Sequence, residues 1–427
     1  MITSKEIPAG IFAATQLTHA GRLLEATALI RRILRHGSAP AEGAERHASD
    51  YDGGASNDII DVEYSELAGP TDRGPTPLQR AAGDGISKRF GLKSFPRGWR
   101  RRDSAVEVPR PQATMVDGQL GQFVTGSYSN QAGERPYKLY IPTSYAKQRL
   151  PLIVMLHGCN QTAVVFANGT RMNALAEEWQ CFVLYPEQTH AASRSRCWNW
   201  FKRGDQRRDK GEPAILAGMT REVMHRYHID PGKVYLAGLS AGGAMAAVMG
   251  TAYPELYAAV GVHSGLACGS AHDLLSALAA MRGAPTPMSG DHSGSTPRVP
   301  ATPTIVFHGD RDKTVHPRNG EHVVSRSLEQ SGASNADASV ERGQVPGGRA
   351  YTRTIHRDWT GRVVLEYWLV HGGGHAWFGG SPRGSYTDPN GPDAAREMIR
   401  FFYETPSSRS RWTASFELFS GPKPVTF

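Results

Sequence analysis

The sequence predicts an α/β protein whose sheet is mostly parallel, and three observations carry that prediction. After about residue 118, short runs of branched and aromatic residues alternate with stretches of helical periodicity. The runs are almost continuously apolar, which is typical of strands covered by helices on both faces. The first two runs follow one another closely, as the strands of a hairpin do. We therefore expect a mostly parallel sheet with an antiparallel start and helices on both faces.

Eight strands are expected in this part of the chain: GQFVTGSYS, YKLYIP, LPLIVMLHG, CFVLYPEQ, KVYLAGLS, YAAVGVHSG, PTIVFHGD and VVLEYWLVHGGGH. Helices are expected between the later strands, at 170–180, 213–227, 242–252, 271–282 and 392–403. An eight-stranded sheet with an antiparallel start is typical of the α/β-hydrolase fold.

The rest of the chain divides into three segments of different composition. Residues 1–36 repeat apolar residues at helical spacing and predict one or two amphipathic helices, which end at Gly37. Residues 37–117 are rich in Gly, Pro, Ser, Asp and Arg and predict a flexible, largely disordered linker. The α/β domain would then span residues 118–404, and residues 405–427 would form a short C-terminal tail.

The composition argues against several classes of protein. Of the 427 residues, 39% are hydrophobic and 21% are charged, which is ordinary for a globular protein with a sizeable core. Much of the net charge of +8 sits in short clusters such as RGWRRRD at 97–103, outside the α/β domain, so no nucleic-acid partner is expected. We find neither a run of 18 apolar residues nor a secretory signal. A cytoplasmic protein is therefore expected, with export by a non-standard route as the alternative, and the oligomeric state is left open.

The pentapeptide Gly238-Leu239-Ser240-Ala241-Gly242 matches the G-x-S-x-G nucleophile elbow. It follows the apolar run KVYLA and precedes the helical run AMAAVMGTAYP, which is the strand, turn and helix context that the motif requires. Small residues two before and two after the serine let the strand and helix approach each other. The sequence therefore predicts Ser240 as an exposed nucleophile at the carboxyl end of a strand.

A serine hydroxyl needs a general base, which a carboxylate orients. In this fold the carboxylate follows the serine in the chain, and the strand PTIVFHGD is followed by two acidic candidates. Asp312 lies further past the strand end and fits the pattern H-G-x-x-D-x-x-V, so it is preferred. Asp310 is interpreted as a carboxylate that caps the loop by accepting hydrogen bonds from backbone amides.

The base should come last, and His371 and His375 flank three consecutive glycines in VHGGGHAW. On a helix, two histidines four residues apart could bind zinc, but the glycines make a helix implausible, so no metal site is expected. His375, in the last loop of the sheet, is predicted as the base. His371 is interpreted as a structural residue at a strand end, as are His157 and His308.

Amide donors for an oxyanion are expected from two places. One is the backbone amide of Ala241, and the other is that of Cys159 in the loop His157-Gly158-Cys159-Asn160-Gln161, with Asn160 as the next choice. This loop could instead be a simple turn at the end of a strand. Candidate substrate-binding residues are Asn160, Gln161, Trp198, Trp200 and Trp377, although tryptophans are more often core residues.

These motifs together resemble the esterase family of polyhydroxybutyrate depolymerases, within the α/β-hydrolase superfamily. The resemblance covers residues 118–404 and rests on ordered blocks such as LPLIVMLHGCNQ, CWNWF, FHGDRDKTVHP and HGGGHAWFGG. It implies a serine esterase in which Ser240, Asp312 and His375 form the triad and no cofactor takes part. Members of the family act on polyhydroxyalkanoates, on feruloyl or acetyl-xylan esters, and on small acyl esters.

The resemblance leads to three further expectations. Hydrolases often insert a lid after the block VHSGLACGSA, but here one short helix and the loop GAPTPMSGDHSGSTPRVP follow, so little or no lid is expected. Cys159 and Cys197 lie in loops that should converge near the site, where a bridge in secreted relatives would rigidify the oxyanion loop. We expect free thiols if this protein is cytoplasmic and a bridge between the two if it is exported. The expected substrate is polyhydroxybutyrate or its oligomers. The alternatives are other carboxylic esters, or a granule-associated scaffold with an idle hydrolase domain.

Overall fold

The computed structural model describes residues 120–284, 301–331 and 338–405. Their largest element is a ten-stranded sheet in the order β1-β2-β4-β3-β5-β6-β7-β10-β9-β8. The strands are β1 (Gln122–Asn130), β2 (Gly133–Ile141), β3 (Leu150–Leu156), β4 (Phe182–Pro186), β5 (Ile229–Leu239), β6 (Ala259–His263), β7 (Thr304–Gly309), β8 (Ser339–Gln344), β9 (Ala350–Arg357) and β10 (Val363–Val370). Two short strands, β11 (Trp377–Phe378) and β12 (Thr387–Asp388), pair separately.

The six central strands, from β4 to β10, are all parallel. At one edge β1 and β2 are antiparallel to their neighbours, which is the hairpin start that the sequence predicts. At the other edge β9 and β8 are antiparallel as well. The α/β-hydrolase class is confirmed, because the parallel centre is present and its carboxyl ends all lie at one edge of the sheet.

Helices cover both faces of the sheet. They are α1 (Ala163–Thr170), α2 (Met172–Trp179), α3 (Gly211–Arg226), α4 (Ala241–Ala252), α5 (Leu274–Met281), α6 (Arg318–Ser331) and α7 (Ala394–Glu404). Buried side chains of α1, α2 and α7 pack on one face of the sheet. Those of α3, α4, α5 and α6 pack on the other. Within the described ranges, no helix is long and apolar enough to cross a membrane.

The prediction of eight strands is wrong by two. All eight predicted strands are present, and β8 and β9 extend the sheet beyond them. Strand β8 has the sequence SVERGQ, and five of its six residues are exposed, so it carries no apolar run that a sequence pattern could reveal. Helices α1 and α6 were also not predicted, because α1 contains two valines and a glycine and α6 is mostly polar.

Several predictions fall on residues outside the described ranges. These are the N-terminal helices at 1–36, the linker at 37–117, the C-terminal tail beyond Thr405, and most of the loop where a lid was not expected.

Candidate active site

Ser240 occupies the tight turn between β5 and α4. Its backbone has φ 57° and ψ −118°, which is a strained conformation for a residue with a side chain. The turn has no room for larger neighbours, since a Cβ on Gly238 would lie 2.3 Å from the carbonyl oxygen of Gly242. A Cβ on Gly242 would lie 2.1 Å from the carbonyl oxygen of Leu156. The glycines of the motif therefore allow the strained turn that presents Ser240 at the sheet edge.

Asp312 and His375 form a hydrogen-bonded pair. The Nδ1–H of His375 donates to Oδ2 of Asp312 over 2.7 Å. The other carboxylate oxygen, Oδ1, accepts hydrogen bonds of 2.8 Å from the amides of Thr314 and Val315. Burial of the Asp312 carboxyl opposes its ionisation, but the hydrogen bond and charge of His375 and the Val315 amide outweigh it and lower the pKa. Asp312 is thus a fixed anion that orients His375.

Asp310 and His371 form a second, separate pair. Nδ1 of His371 lies 3.1 Å from Oδ2 of Asp310, and the amide of Gly372 donates to Oδ1 over 2.7 Å. Asp310 therefore bonds a backbone amide, as the sequence interpretation expects. Since each histidine has its own carboxylate, the choice of Asp312 as the partner of His375 agrees with the geometry.

The three predicted catalytic residues lie at one edge of the sheet. Ser240 follows β5, Asp312 follows β7 and His375 follows β10, and these strands are parallel and separated only by β6. The carboxyl ends of neighbouring parallel strands lie at the same edge of the sheet, so the three residues follow strand ends on one side of the sheet. The arrangement has the parts of a nucleophile, a base and an orienting acid.

The loop after β3 lies against the nucleophile. A Cβ on Gly158 would be 3.6 Å from Cβ of Ser240. Among the hydrogen bonds formed by the described residues, none uses the amide of Cys159 or of Ala241. The amide of Asn160, in contrast, donates to the carbonyl oxygen of Ser195 over 2.7 Å. Asn160 is therefore a poor second choice as an oxyanion donor, and the amides of Cys159 and Ala241 remain available.

A disulfide joins Cys159 to Cys197, which is the bridge expected of an exported protein, and the four free thiols expected in a cytoplasm are not present. The reason is the convergence of two loops that are distant in sequence, since Asn160 bonds Ser195 and the Trp198 indole donates to the carbonyl oxygen of His157. Cys181 and Cys268 are free. The bridge anchors the loop that carries the candidate oxyanion amide.

Glu212 binds the chain on both sides of Cys197. The sequence analysis did not identify this residue. Its side chain is 3% exposed and accepts hydrogen bonds from both the amide and the side chain of Asn199, each over 2.7 Å. The side chains of Gln188 and Arg135 also donate to it. Burial raises the pKa of this carboxyl although these donors favour its charged form. The residue fixes both ends of the segment that contains Cys197.

Four of the five predicted substrate-binding side chains lie in the interior. Trp198, Trp200 and Trp377 are 0%, 6% and 1% exposed, so their interpretation as pocket residues is corrected to core packing. Trp198 and Trp200 pack in the core on one face of the sheet, and Trp377 packs in the core on the other face.

Gln161 is also corrected. Its Oε1 accepts from the amide of Gly158 and its Nε2 donates to the carbonyl oxygen of Ser385, so both ends of the amide are used. Gln161 thus links the loop that carries Cys159 to the main chain of Ser385. Asn160 is exposed and stays a predicted contact for substrate.

His263, at the end of β6, is a second residue that the sequence analysis missed. Its carbonyl oxygen accepts from the amide of Ser240 over 2.8 Å, and its ring Nε2 accepts from the amide of Phe378 over 3.1 Å. The ring stacks on Trp377 at 4.8 Å between centroids. Burial and the nearby His308 and His375 hold its pKa well below the usual range, so the ring is neutral. His263 thus connects the nucleophile turn to the chain just after His375.

A strained serine at a strand-to-helix turn, with an aspartate and a histidine on neighbouring strand ends, defines an α/β-hydrolase site. Residues 135–346 match the family model described as Esterase PHB depolymerase, and the chain belongs to this esterase family. Poly(3-hydroxyalkanoate) depolymerase C of Paucimonas lemoignei is 30% identical over 236 residues, which cover 53% of this chain and 54% of that protein. A protein of Aspergillus flavus named "Probable acetylxylan esterase A" is 30% identical over 226 residues, which cover 49% of this chain and 70% of that protein.

The chain therefore spans about half the length of the depolymerase that it matches. Among solved structures, an acetyl xylan esterase from Aspergillus awamori superposes with a TM-score of 0.50 and 20% identity, covering 64% of this chain and 94% of that one. At this identity the similarity concerns the fold alone.

Proposed function

We propose that this protein is a serine esterase that hydrolyses carboxylic esters through an acyl-enzyme. The observation that carries the proposal is the Asp312–His375 hydrogen bond at the sheet edge where the strained Ser240 stands. Asp312 holds the Nδ1 proton of His375, which leaves Nε2 of that ring as the proton acceptor. Ser240 Oγ gives its proton to His375 as it attacks the ester carbonyl carbon.

The tetrahedral intermediate carries its negative charge on the former carbonyl oxygen. The unused amides of Cys159 and Ala241 would donate to this oxyanion, and the amide of Ala241 adds the positive end of helix α4. His375 then protonates the leaving alcohol, and the acyl group remains on Ser240. Water, deprotonated by the same histidine, attacks the acyl-enzyme and releases the acid.

We propose polyhydroxybutyrate or its oligomers as the substrate. The proposal is supported by the family match and by the depolymerase that is 30% identical. The acetylxylan esterase of similar identity favours a second candidate, an ester carried by a polysaccharide. Both candidates use the same chemistry and differ in the alcohol or acyl group that the cleft accepts.

The test measures product release from amorphous polyhydroxybutyrate, feruloylated xylan, acetylated xylan and p-nitrophenyl butyrate in parallel. The Ser240→Ala variant is the blank, and Ser339→Ala, on the exposed strand β8, is the matched control. We expect Ser240→Ala to keep its fold and lose turnover by about 10³-fold or more, because the nucleophile is gone. Unchanged turnover in Ser240→Ala would refute the mechanism. Product release from xylan but not from polyhydroxybutyrate would instead identify a polysaccharide ester as the substrate.

The location of the protein is a separate proposal. The Cys159–Cys197 disulfide favours an oxidising compartment, and hence the alternative of export over the cytoplasm. Deleting residues 1–117 tests the scaffold alternative. Unchanged ester turnover together with lost binding to polymer granules would assign that region to targeting, whereas granule binding by a full chain without any turnover would favour a scaffold.

A further inference from the structure

One arginine binds the chain on both sides of His375. Arg349 ends the turn between β8 and β9. Its guanidinium Nη1 donates to the carbonyl oxygen of Gly372 over 2.7 Å, and its Nε donates to Oδ2 of Asp388. Gly372 precedes His375 in the chain and Asp388 follows it, so we name residues 372–388 the histidine loop. One rigid, planar group therefore holds both ends of the histidine loop.

The turn that carries this arginine lies at the same sheet edge as the candidate active site. Tyr351, near the start of β9, pairs with Val370, the last residue of β10. The amide of His371 donates to the carbonyl oxygen of Ala350 over 2.8 Å. Since His375 follows the carboxyl end of β10, the β8–β9 turn and the histidine loop are neighbours. The arginine therefore reaches the loop from strands that carry no predicted catalytic residue.

Asp388 connects the guanidinium to the chain that follows His375. The side chain of Asp388 is 9% exposed, and its Oδ1 accepts a hydrogen bond of 3.1 Å from the amide of Asn390. Its carbonyl oxygen accepts from the amide of Gly379 over 2.8 Å, next to the pairing of β12 with β11. The main chain just after the base is thereby joined to Arg349 through one nearly buried carboxylate.

The first residues of the histidine loop are glycines. A Cβ on Gly374 would have no heavy atom within 4 Å, so this residue has open space beside it. Glycine also leaves the main chain more conformational freedom than other residues do. The amide of Arg311 donates to the carbonyl oxygen of Gly373 over 2.9 Å, next to the hydrogen bond from Arg349 to Gly372. Loss of the arginine would therefore remove one of the contacts that fix the path of this flexible stretch.

We propose that Arg349 is a positioning residue for His375. By holding both ends of the histidine loop, it keeps the imidazole in its 2.7 Å hydrogen bond to Asp312 and within reach of Ser240. Arg349 acts through the main chain and through Asp388, and it makes or breaks no bond in the reaction. A catalytic group displaced by about 1 Å can slow a reaction by about 100-fold. The inference rests on the proposed function, because His375 is a base only in that mechanism.

Steady-state kinetics on p-nitrophenyl butyrate provide the first test. Arg349→Met removes both donors and keeps an unbranched apolar stem. We expect kcat to fall about 10- to 100-fold and KM to stay within about twofold, because His375 acts in both formation and hydrolysis of the acyl-enzyme. Arg349→Lys keeps the charge and can donate to one partner, so it should recover part of the loss. Arg342→Gln, at an exposed position on β8, is the matched control and should keep the native kcat.

Proton NMR supplies a second readout that needs no substrate. The proton between the imidazole and the carboxylate of a histidine–aspartate pair resonates far downfield, and its absence in His375→Gln assigns it. We expect this resonance in the native chain and in Arg342→Gln. In Arg349→Met it should weaken or disappear, because a loosened loop lets the proton exchange with water. A merely structural arginine would leave the resonance unchanged.

A double-variant cycle tests whether the arginine acts through its carboxylate partner. Asp388→Asn keeps an acceptor for the amide of Asn390 and removes the charge that binds the guanidinium. On its own it should lower kcat. In the Arg349→Met background it should have little further effect, because the same link is already lost. Multiplied losses in the double variant would overturn the proposal.

Native kcat in Arg349→Met would also overturn it, as would an unchanged resonance. Urea unfolding establishes that each variant is folded under the assay conditions, and if Arg349→Met does not fold, Arg349→Lys and Asp388→Asn decide alone. If the native chain turns over no ester and matches Ser240→Ala, the proposed function fails. The NMR comparison would then still test whether Arg349 holds His375 against Asp312.

Discussion

His263 contacts both the turn that carries Ser240 and the chain that follows His375. Its main chain accepts from Ser240 and its ring accepts from the Phe378 amide, which is 115 residues away. Neither contact involves the reacting atoms, so His263 is a positioning residue. Small errors in the placement of a base relative to a nucleophile have large effects on rate.

Replacing this ring should therefore slow the reaction without weakening substrate binding. His263→Phe keeps an aromatic ring on Trp377 but leaves the Phe378 amide without its acceptor. We expect kcat to fall about 10- to 100-fold with KM within about twofold, and the unfolding free energy to fall by about 1–3 kcal/mol. Steady-state kinetics measure kcat and KM, and urea unfolding measures the free energy of unfolding. The control is His190→Gln, at an exposed position. An equal loss in kcat and gain in KM would argue against positioning.

At the scale of elements, the nucleophile turn depends on two backbones that touch. A methyl group on Gly242 would lie 2.1 Å from the carbonyl oxygen of Leu156, which belongs to the neighbouring strand β3. Backbone atoms of a central strand cannot move aside as a flexible side chain can. The close approach of α4 to β3 therefore requires glycine at this position.

Gly242→Ala should accordingly destabilise the protein by about 3 kcal/mol or more and abolish turnover, because α4 must move away from the sheet. Gly204→Ala is the matched control, since nothing lies within 4 Å of the added methyl group. Thermal and urea unfolding of both variants provide the comparison. A Gly242→Ala protein as stable as Gly204→Ala would show that the turn is looser than described.

The disulfide can be tested by counting free thiols. In denaturant without reductant we expect two reactive thiols, those of Cys181 and Cys268, and four after reduction. Cys197→Ser should give three thiols without reductant. It should also lower kcat, because the loop that carries the Cys159 amide loses its anchor. Four thiols in the unreduced native chain would exclude the bridge.

At the scale of the whole molecule, three histidines that lie in strands or directly after one are buried and neutral. Burial is the main cause that lowers the pKa of His157, His263 and His308, that of His157 to about 4. The unfolded chain takes up these protons near its ordinary imidazole pKa of about 6.5, so it binds more protons than the folded chain below that pH. Stability is therefore complete above about pH 6.5 and is lost as the pH falls.

Urea unfolding between about pH 7 and pH 4.5 measures how steeply the free energy of unfolding changes with pH. Each buried histidine contributes up to about 1.4 kcal/mol per pH unit, so the three together give up to about 4 kcal/mol per pH unit. The exposed His190→Gln variant should keep the same slope. A free energy of unfolding that stays constant across this range would contradict the neutral burial of these rings.

The limits of the sequence prediction follow from the range of the contacts. Ser240 and Asp312 could be named as candidates because each lies in a local motif that follows an apolar strand. Gln161 and His263 were not, because their functions lie in hydrogen bonds to Ser385 and Phe378. The tryptophans were misassigned for the same reason, since their burial depends on packing in the core with residues distant in sequence.

The strands that could be predicted from the sequence are the buried ones, because burial produces an apolar pattern. Strand β10 has an apolar pattern and was predicted, whereas β8 is almost wholly exposed and was not. The sequence analysis did name Cys159 and Cys197 as the pair for a bridge, although they are 38 residues apart. What it left open was whether the bridge forms, because that depended on the compartment.

The two extra strands change the position within the sheet of β10, the strand that precedes His375. Without β8 and β9, β10 would be an edge strand whose hydrogen-bonding groups face water on one side. The loop to His375 would then start from a strand that opens easily. With them, β10 is hydrogen-bonded on both sides. Hydrogen exchange should accordingly be fast in β8 and slow in β10, so that local opening is confined to a part of the sheet without predicted catalytic residues.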